Sequence, residues 1–376
     1  MNEFVYLDYN ATTPVDERVV QAMLPYFQKF YANPGSAHLF GLAVKESLEQ
    51  ATAIMADYIS AKSDEIIYTS GATEAVNLAI KGVTTSEDKS HIITVKTEHK
   101  AVLDACLHAE RHENITYLNV RKDGLIDADE LRNTINDETF LVCIMLVNNE
   151  TGVIQPVQEI AKIAHQKGCL VFCDATQAVG KIPVNVKSLG IDLMAFSAHK
   201  FYGPKGIGGL YISSDIKHKM HAQIHGGGQQ FNLRSGTLNV PGIIGMAKAS
   251  EIALAEKNLN KQILELRNQL ENELLDIADT KINGNIQHRI FNTSNICFAG
   301  VNAEQMILSL GEICVSSGSA CNATTSRPSH VLKAMGMDDL DALSSIRFSL
   351  GKFTTPEEIE LAVKKIKQTV TRLREN

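Results

Sequence analysis

The sequence predicts an α/β protein: a doubly wound domain around a mostly parallel seven-stranded sheet, followed by a smaller α+β domain. Three observations point there. Short apolar runs alternate with helical patterns over the first two-thirds of the chain. Several of those runs are apolar throughout, as strands covered on both faces must be. The rhythm then changes near residue 250.

The strand-like runs, in order, are EIIYTS (65–70), HIITV (91–95), ITYLNV (115–120), FLVCIMLV (140–147), CLVFCDA (169–175), DLMAFSA (192–198) and GGLYIS (208–213). Helical patterns fall between them, at 73–82, 100–111 and 157–167. Further on, Ile252, Ala255, Leu259, Ile263, Leu266, Leu270, Leu274 and Ile277 recur every three or four positions. That stripe predicts one long amphipathic helix leading into the second domain, with a coiled coil as the competing reading. SNICFAG (294–300) and SSIRFSLG (344–351) read as strands of that domain. Thr355-Pro-Glu-Glu358 reads as a capping box opening a last helix, with Ile359, Val363, Ile366, Val370 and Leu373 on its core face. Its basic residues Lys364, Lys365, Lys367, Arg372 and Arg374 read as a solvated face, with a nucleic-acid patch as the sharper alternative.

Composition narrows the classes. The chain has 376 residues, of which 44% are hydrophobic and 21% charged, enough apolar side chain to exclude global disorder. A formal charge of −7 argues against a nucleic-acid binder held by a basic field. The opening MNEFVYLDYN lacks the basic-then-apolar pattern of a signal peptide, and no run approaches the roughly 20 apolar residues of a membrane helix. A cytoplasmic protein without membrane contact is expected. The 7 cysteines include no C-x-x-C pair, so neither a disulfide framework nor structural zinc is expected. Cys143, Cys169, Cys173 and Cys297 sit in apolar runs as small hydrophobes. His218, His221 and His225 have only Asp215 nearby to complete a metal set, so no resident metal is expected.

The candidate chemistry starts at Lys200, in Ser197-Ala-His-Lys200 after a buried strand. Partial desolvation there makes a lysine nucleophilic; the alternative is a lysine snorkelling past the sheet edge. Asp174 ends the preceding strand, one crossover earlier, so both side chains emerge at the carboxyl ends of the sheet, where ligands bind in open α/β folds. An Asp there can keep a pyridinium nitrogen protonated, and Gln177 can reach the same ring. Residues 69–74 end a strand and open a helix, which offers free N–H groups and the Thr73 hydroxyl to a phosphate, or is simply a helix start. Ser197 and His199 are two further donors. The glycines from Gly203 to Gly209 lead into a strand rather than open a helix, which removes a nicotinamide-dinucleotide reading. Cys321 lies in Ser316-Ser-Gly-Ser-Ala-Cys321 with no apolar periodicity to bury it. It is expected on a mobile, exposed loop, either as a reactive thiol or as an incidental surface cysteine.

Together, Asp174-Ala-Thr-Gln177, Ser197-Ala-His-Lys200 and Ser316-Ser-Gly-Ser-Ala-Cys321 resemble the class V aminotransferase family. More narrowly they resemble its NifS/IscS-type cysteine desulfurases, in the branch with a long SSGSAC loop. Further matching motifs lie at 6–14, 33–34, 96–99, 147–150, 234–237 and 344–351. The resemblance implies a pyridoxal-phosphate homodimer of fold type I that converts L-cysteine to L-alanine and keeps the sulfur as a persulfide on Cys321. Lys200 would carry the cofactor covalently and remove the α-proton. Asp174 would pair with the pyridine nitrogen and Gln177 with the ring hydroxyl. Ala72, Thr73, Ser197 and His199 would hold the phosphate, joined by Thr237 of the partner subunit. His99 would stack on the ring and shuttle protons, Asn149 would contact cofactor or substrate, and Arg347 would clamp the substrate carboxylate.

The implied division is a large cofactor-binding domain over 13–255 and a small domain over 1–12 and 256–376, carrying the cysteine loop and Arg347. Sulfur would pass to an acceptor protein: an iron–sulfur scaffold, a tRNA-thiolation protein or a DNA-phosphorothioation protein. Longer members continue past the position of Leu373, whereas this chain stops at Asn376, which tilts the expectation towards the latter two. Direct nucleic-acid binding is not expected, and an iron–sulfur cluster would rest only transiently, on Cys321. Two other readings stand beside this one: a selenocysteine lyase or other β-lyase on the same fold, and a non-catalytic sulfur-relay scaffold.

Overall fold

The computed structural model describes residues 4–83, 89–110, 113–317 and 327–375; Cys321 lies outside them. The strands are β1 (Val5–Tyr6), β2 (Ile66–Thr69), β3 (His91–Val95), β4 (Asn114–Leu118), β5 (Thr139–Met145), β6 (Leu170–Asp174), β7 (Leu193–Ser197), β8 (Gly208–Ile212), β9 (Thr280–Ile282), β10 (Thr293–Phe298), β11 (Ile313–Cys314) and β12 (Ser345–Ser349). Seven of them form the main sheet, in the order β2-β8-β7-β6-β5-β3-β4. The pairings from β7 to β4 are all parallel, and β8 alone runs against its neighbours. Every apolar run read as a strand in the first two-thirds of the sequence belongs to this sheet.

The sheet has helices on both faces, which is why its central strands carry no polar stripe. Neighbouring residues point to opposite sides: Ile92, Leu141 and Phe172 enter one core, while Ile93, Val142 and Val171 enter the other. The helix Ala72–Gly82 packs on the first side, the helices Leu39–Ile59 and Val157–Gln166 on the second. At the join of β8 with the start of helix Ala72–Gly82 the backbones nearly touch. A Cβ on Gly208 would stand 2.7 Å from the Gly71 Cα, so only glycine admits that approach.

A separate core gathers Leu7, Leu270, Leu274, Ile296, Phe298, Met306, Ile346, Phe348, Ile359 and Ile366. It lies against the antiparallel sheet β12-β10-β9 and the parallel pair β1-β11. The closing helix Pro356–Glu375 begins as its sequence predicts: Glu358 N donates to Thr355 Oγ1 at 3.2 Å, and Thr355 N donates to Glu358 Oε2 at 3.0 Å. Two of its basic residues are tied down rather than solvated. Lys365 pairs with Glu312, and Arg374 donates to the carbonyls of Ala278 at 2.7 Å and Ala299 at 3.0 Å.

The long helix predicted around residues 252–277 is two helices, Val240–Ala255 and Leu259–Leu275. The apolar stripe is divided between cores: Ile243, Met246 and Ile252 pack on the large sheet, Ile263, Leu270 and Leu274 in the second core. The break falls at Glu256, which leaves helical geometry at φ −100°, ψ 14°. Its carboxylate accepts from Arg18 at 2.5 Å and from Lys352 at 3.1 Å. Lys352 also meets Asp16, and both side chains are under a tenth exposed. Among the described residues no helix is long and apolar enough to cross a membrane.

Candidate active site

A cavity of about 890 Å³ opens where β6 and β7 end, a volume in the ordinary range for cofactor sites. Of the predicted residues, Ala72, Thr73, His99, Asn149, Asp174, Gln177, Ser197, His199, Lys200 and Arg347 all line it. Thr237 is not among the lining residues and is exposed. Cys321 lies outside the described residues, but Ser316 and Ser317, which lead towards it, line the cavity.

Lys200 follows β7 in the single turn Ala198–Lys200. Its Nζ donates to the carbonyls of Asn10 and Ala11, each at 2.7 Å. Burial, then the nearby Arg347, lower its pKa to about 8, against the pull of Asp174 and Asp8. Asp174 is the last residue of β6, is 6% exposed, and accepts from Thr176 N at 2.9 Å.

The two histidines are neutral for related reasons. His99 caps the helix Lys100–Ala109, its Nδ1 accepting from Ala101 N at 3.1 Å. That acceptor role puts the ring hydrogen on Nε2. Burial and then Lys200 lower its pKa, with Asp174 opposing. His199 is pushed down to about 4 by burial and then by Lys200.

The helix Ala72–Gly82 starts at Gly71 with no side chain capping it, so its first amides are available to an anion in the cavity. Arg347, on β12, is 5% exposed; its Nη2 donates to Asp8 at 2.6 Å and its Nη1 to the Asn149 carbonyl at 3.0 Å.

Two cavity-lining polar atoms, Asn149 Oδ1 and Thr176 Oγ1, are buried without a hydrogen-bond partner among the described residues. Buried polar atoms in a folded chain are nearly always paired, so these await a bound group. An uncapped helix start for a phosphate, a strand-end carboxylate for a ring nitrogen and a lysine of lowered pKa for an aldehyde fit pyridoxal phosphate.

Sequence reasoning passed over several residues here. Asp8, Asn10 and Thr12 line the cavity and Lys181 lies directly behind Gln177. The first three fall in the 6–14 motif, and their signal was a polar cluster directly after β1. Lys181 had no local signal.

A parallel sheet of this order, with a lysine and a carboxylate converging at its strand ends, defines the class of pyridoxal-phosphate proteins of fold type I. The chain belongs to the aminotransferase class-V family, whose profile matches residues 5–361. It is similar to the cysteine desulfurase IscS of Pasteurella multocida, 48% identical over 379 residues, covering 99% of this chain and 94% of that protein. Among solved structures it is similar to a NifS-like protein, with a TM-score of 0.92 at 38% identity, covering 98% of this chain and 100% of that one. A structure described as SspA in complex with cysteine superposes with a TM-score of 0.82 at 35% identity, covering 93% of this chain and 99% of that one.

Proposed function

We propose that this protein is a pyridoxal-phosphate-dependent cysteine desulfurase, in which L-cysteine and the Cys321 thiol become L-alanine and a Cys321 persulfide. The observation that carries this reading is the position of Ser316 and Ser317. They open the cysteine segment and line the same cavity as Lys200, Asp174 and Arg347.

In this reading Lys200 holds the cofactor covalently, Asp174 its ring nitrogen and Gln177 its ring oxygen. Ala72, Thr73, Ser197 and His199 hold the phosphate, with Thr237 of the partner subunit. When bound, the cofactor supplies an electron sink for the pair left at the substrate α-carbon. Displaced from the cofactor by the substrate amine, Lys200 would be a free amine of lowered pKa, about 8, and so able to take the α-proton near neutral pH. His99 would stack on the ring and shuttle protons through its Nε2, since its Nδ1 is held by Ala101 N. Arg347 clamps the substrate carboxylate with its planar fork, and Asn149 contacts cofactor or substrate. The Cys321 thiolate attacks the substrate sulfur: the S–S bond forms, the C–S bond breaks with its electron pair moving to carbon, and protonation there gives alanine. The persulfide then passes to a sulfur-acceptor protein.

A homodimer belongs to this reading. Phe27, Phe30, Tyr31, Leu39 and Phe40 are exposed apolar side chains close together in sequence, with Tyr31 71% and Leu39 86% exposed, a surface suited to a second copy. Thr237, exposed and away from its own cavity, is free to complete a neighbour's. The division into 13–255 and 1–12 with 256–376 is supported by the separate second core.

The test is peptide mass spectrometry after brief incubation with L-cysteine and no reductant. One added sulfur on the Cys321 peptide is expected. An unmodified Cys321 in cofactor-loaded protein overturns the reading in favour of a lyase.

A further inference from the structure

Gln177 lies at the edge of the cavity with both ends of its carboxamide engaged. Its Nε2 donates to the Asn10 carbonyl at 2.9 Å, and its Oε1 accepts from Lys181 Nζ at 2.5 Å. These partners leave only one orientation of the amide. A main-chain carbonyl can only accept, so the atom beside it is the nitrogen; an amino group beside the other end demands the oxygen. An NH2 group has two hydrogens, and Asn10 takes one. The other is left for the cavity that Gln177 lines.

Lys181 is itself held in place. Its Nζ also donates to Asn10 Oδ1 at 3.2 Å, and its carbonyl accepts from Asn260 at 2.8 Å. Asn10 joins the rest of the site to this pair, since its carbonyl takes Lys200 as well and its Nδ2 donates to Asn149 O at 3.2 Å. Among the described residues, no carboxylate pairs with Lys181. The charged groups acting on it are Lys200 and Arg347, which add to burial in lowering its pKa well below the usual lysine range. Glu256 and Lys352 line the same small cavity behind Lys200, paired with each other at 3.1 Å. A lysine kept among cations without an acidic partner is costly, and its contact with Gln177 gives it a use.

We propose that Lys181 is a positioning residue that locks the Gln177 carboxamide with its N–H edge towards the cofactor's ring oxygen. The proposal rests on the cofactor reading above. A fixed donor at that oxygen favours its anionic form and weakens its hold on the neighbouring proton. Loss of the donor therefore moves the pH midpoint of the bound cofactor's visible absorption upward.

The experiment is a double-mutant cycle read by that midpoint in the cofactor-loaded proteins. Lys181→Met should raise it by roughly 0.5–1 pH unit, the size expected for one lost hydrogen bond. Gln177→Met should raise it by at least as much, and Lys181→Met should add almost nothing in the Gln177→Met background. Additive shifts would mean that the Lys181 charge acts on the cofactor directly, which overturns the proposal. An unchanged midpoint in Lys181→Met overturns it too. Should Lys181→Met fail to fold, Lys181→Leu, which likewise carries no donor, replaces it in the same cycle with the same criterion. A wild-type protein that takes up no cofactor and shows no visible band sinks the cofactor reading itself, an outcome distinct from either of the others.

Discussion

The main chain of Arg347 is bonded to that of Ser316: Arg347 N donates to Ser316 O at 2.6 Å and Ser316 N to Arg347 O at 3.3 Å. The chain leading to Cys321 is thus laddered onto the residue whose guanidinium lies near Lys200 in the cavity lining. In the proposed reading, substrate binding and sulfur acceptance would share one stretch of backbone, so the two would be separated only by changes confined to side chains.

Arg347→Lys is such a change. Lysine keeps the charge for Asp8 but loses the fork that matches a carboxylate. The KM for L-cysteine should rise about tenfold or more, with the cofactor's absorption spectrum unaltered. Steady-state kinetics beside a spectrum of the same sample checks both, and an unchanged KM would place the carboxylate elsewhere.

Lys200 should react as an amine of lowered pKa. In cofactor-free protein, its acylation should rise with a midpoint near pH 8, where burial and Arg347 set it. Exposed lysines respond at about pH 10.4. Asp174→Asn removes a charge that favours the protonated amine, so the midpoint should move lower still. Residue-resolved mass spectrometry over a pH series reads this directly.

Asp16 and Lys352, both nearly buried, cluster with the half-exposed Arg18, and these partners hold the Asp16 carboxyl well below the usual range. A lowered carboxyl pKa stabilises the fold above the unfolded value, and that contribution is lost as pH falls through the folded value. Asp16→Asn leaves Lys352 only Glu256 as a carboxylate partner and should destabilise the fold at pH 7 by less than the roughly 3–5 kcal/mol of a buried pair broken outright. Urea denaturation should show the deficit shrinking once the pH drops below the ordinary carboxyl range.

Glu98 is the opposite case. It is 1% exposed, accepts from Met145 N at 2.7 Å, and its pKa is raised well above normal by burial and then by Asp174. It therefore binds its proton more tightly in the folded chain than in the unfolded one. Stability tied to it is full at low pH and declines as pH rises past the unfolded value. Glu98→Gln should match wild type at pH 4 and exceed it increasingly towards pH 8. Glu98→Leu strands the Met145 N–H and should cost about 1–3 kcal/mol. Denaturation midpoints at the two pH values separate these outcomes.

Much of the fold was legible because its causes are local. HIITV is β3 residue for residue, and the capping box at Thr355 opens its helix as written. The strand-end positions of Asp174 and Lys200 followed from the parallel sheet. The break at Glu256 was not legible: the stripe from Ile252 to Ile277 keeps its period across it, and the cations that draw Glu256 aside come from Arg18 and Lys352. Lys181 was invisible for the same reason, since its partner Asn10 lies in the opening motif.

The strands of the main sheet, the residue types that meet at its carboxyl end and the family resemblance are all carried by the sequence alone. These follow from short-range periodicity, capping and motif. The lowered pKa values of Lys200 and His99, the raised one of Glu98 and the orientation of the Gln177 amide come instead from the folded arrangement. Those depend on desolvation and on partners supplied by distant parts of the chain, quantities that exist only once the cores have closed.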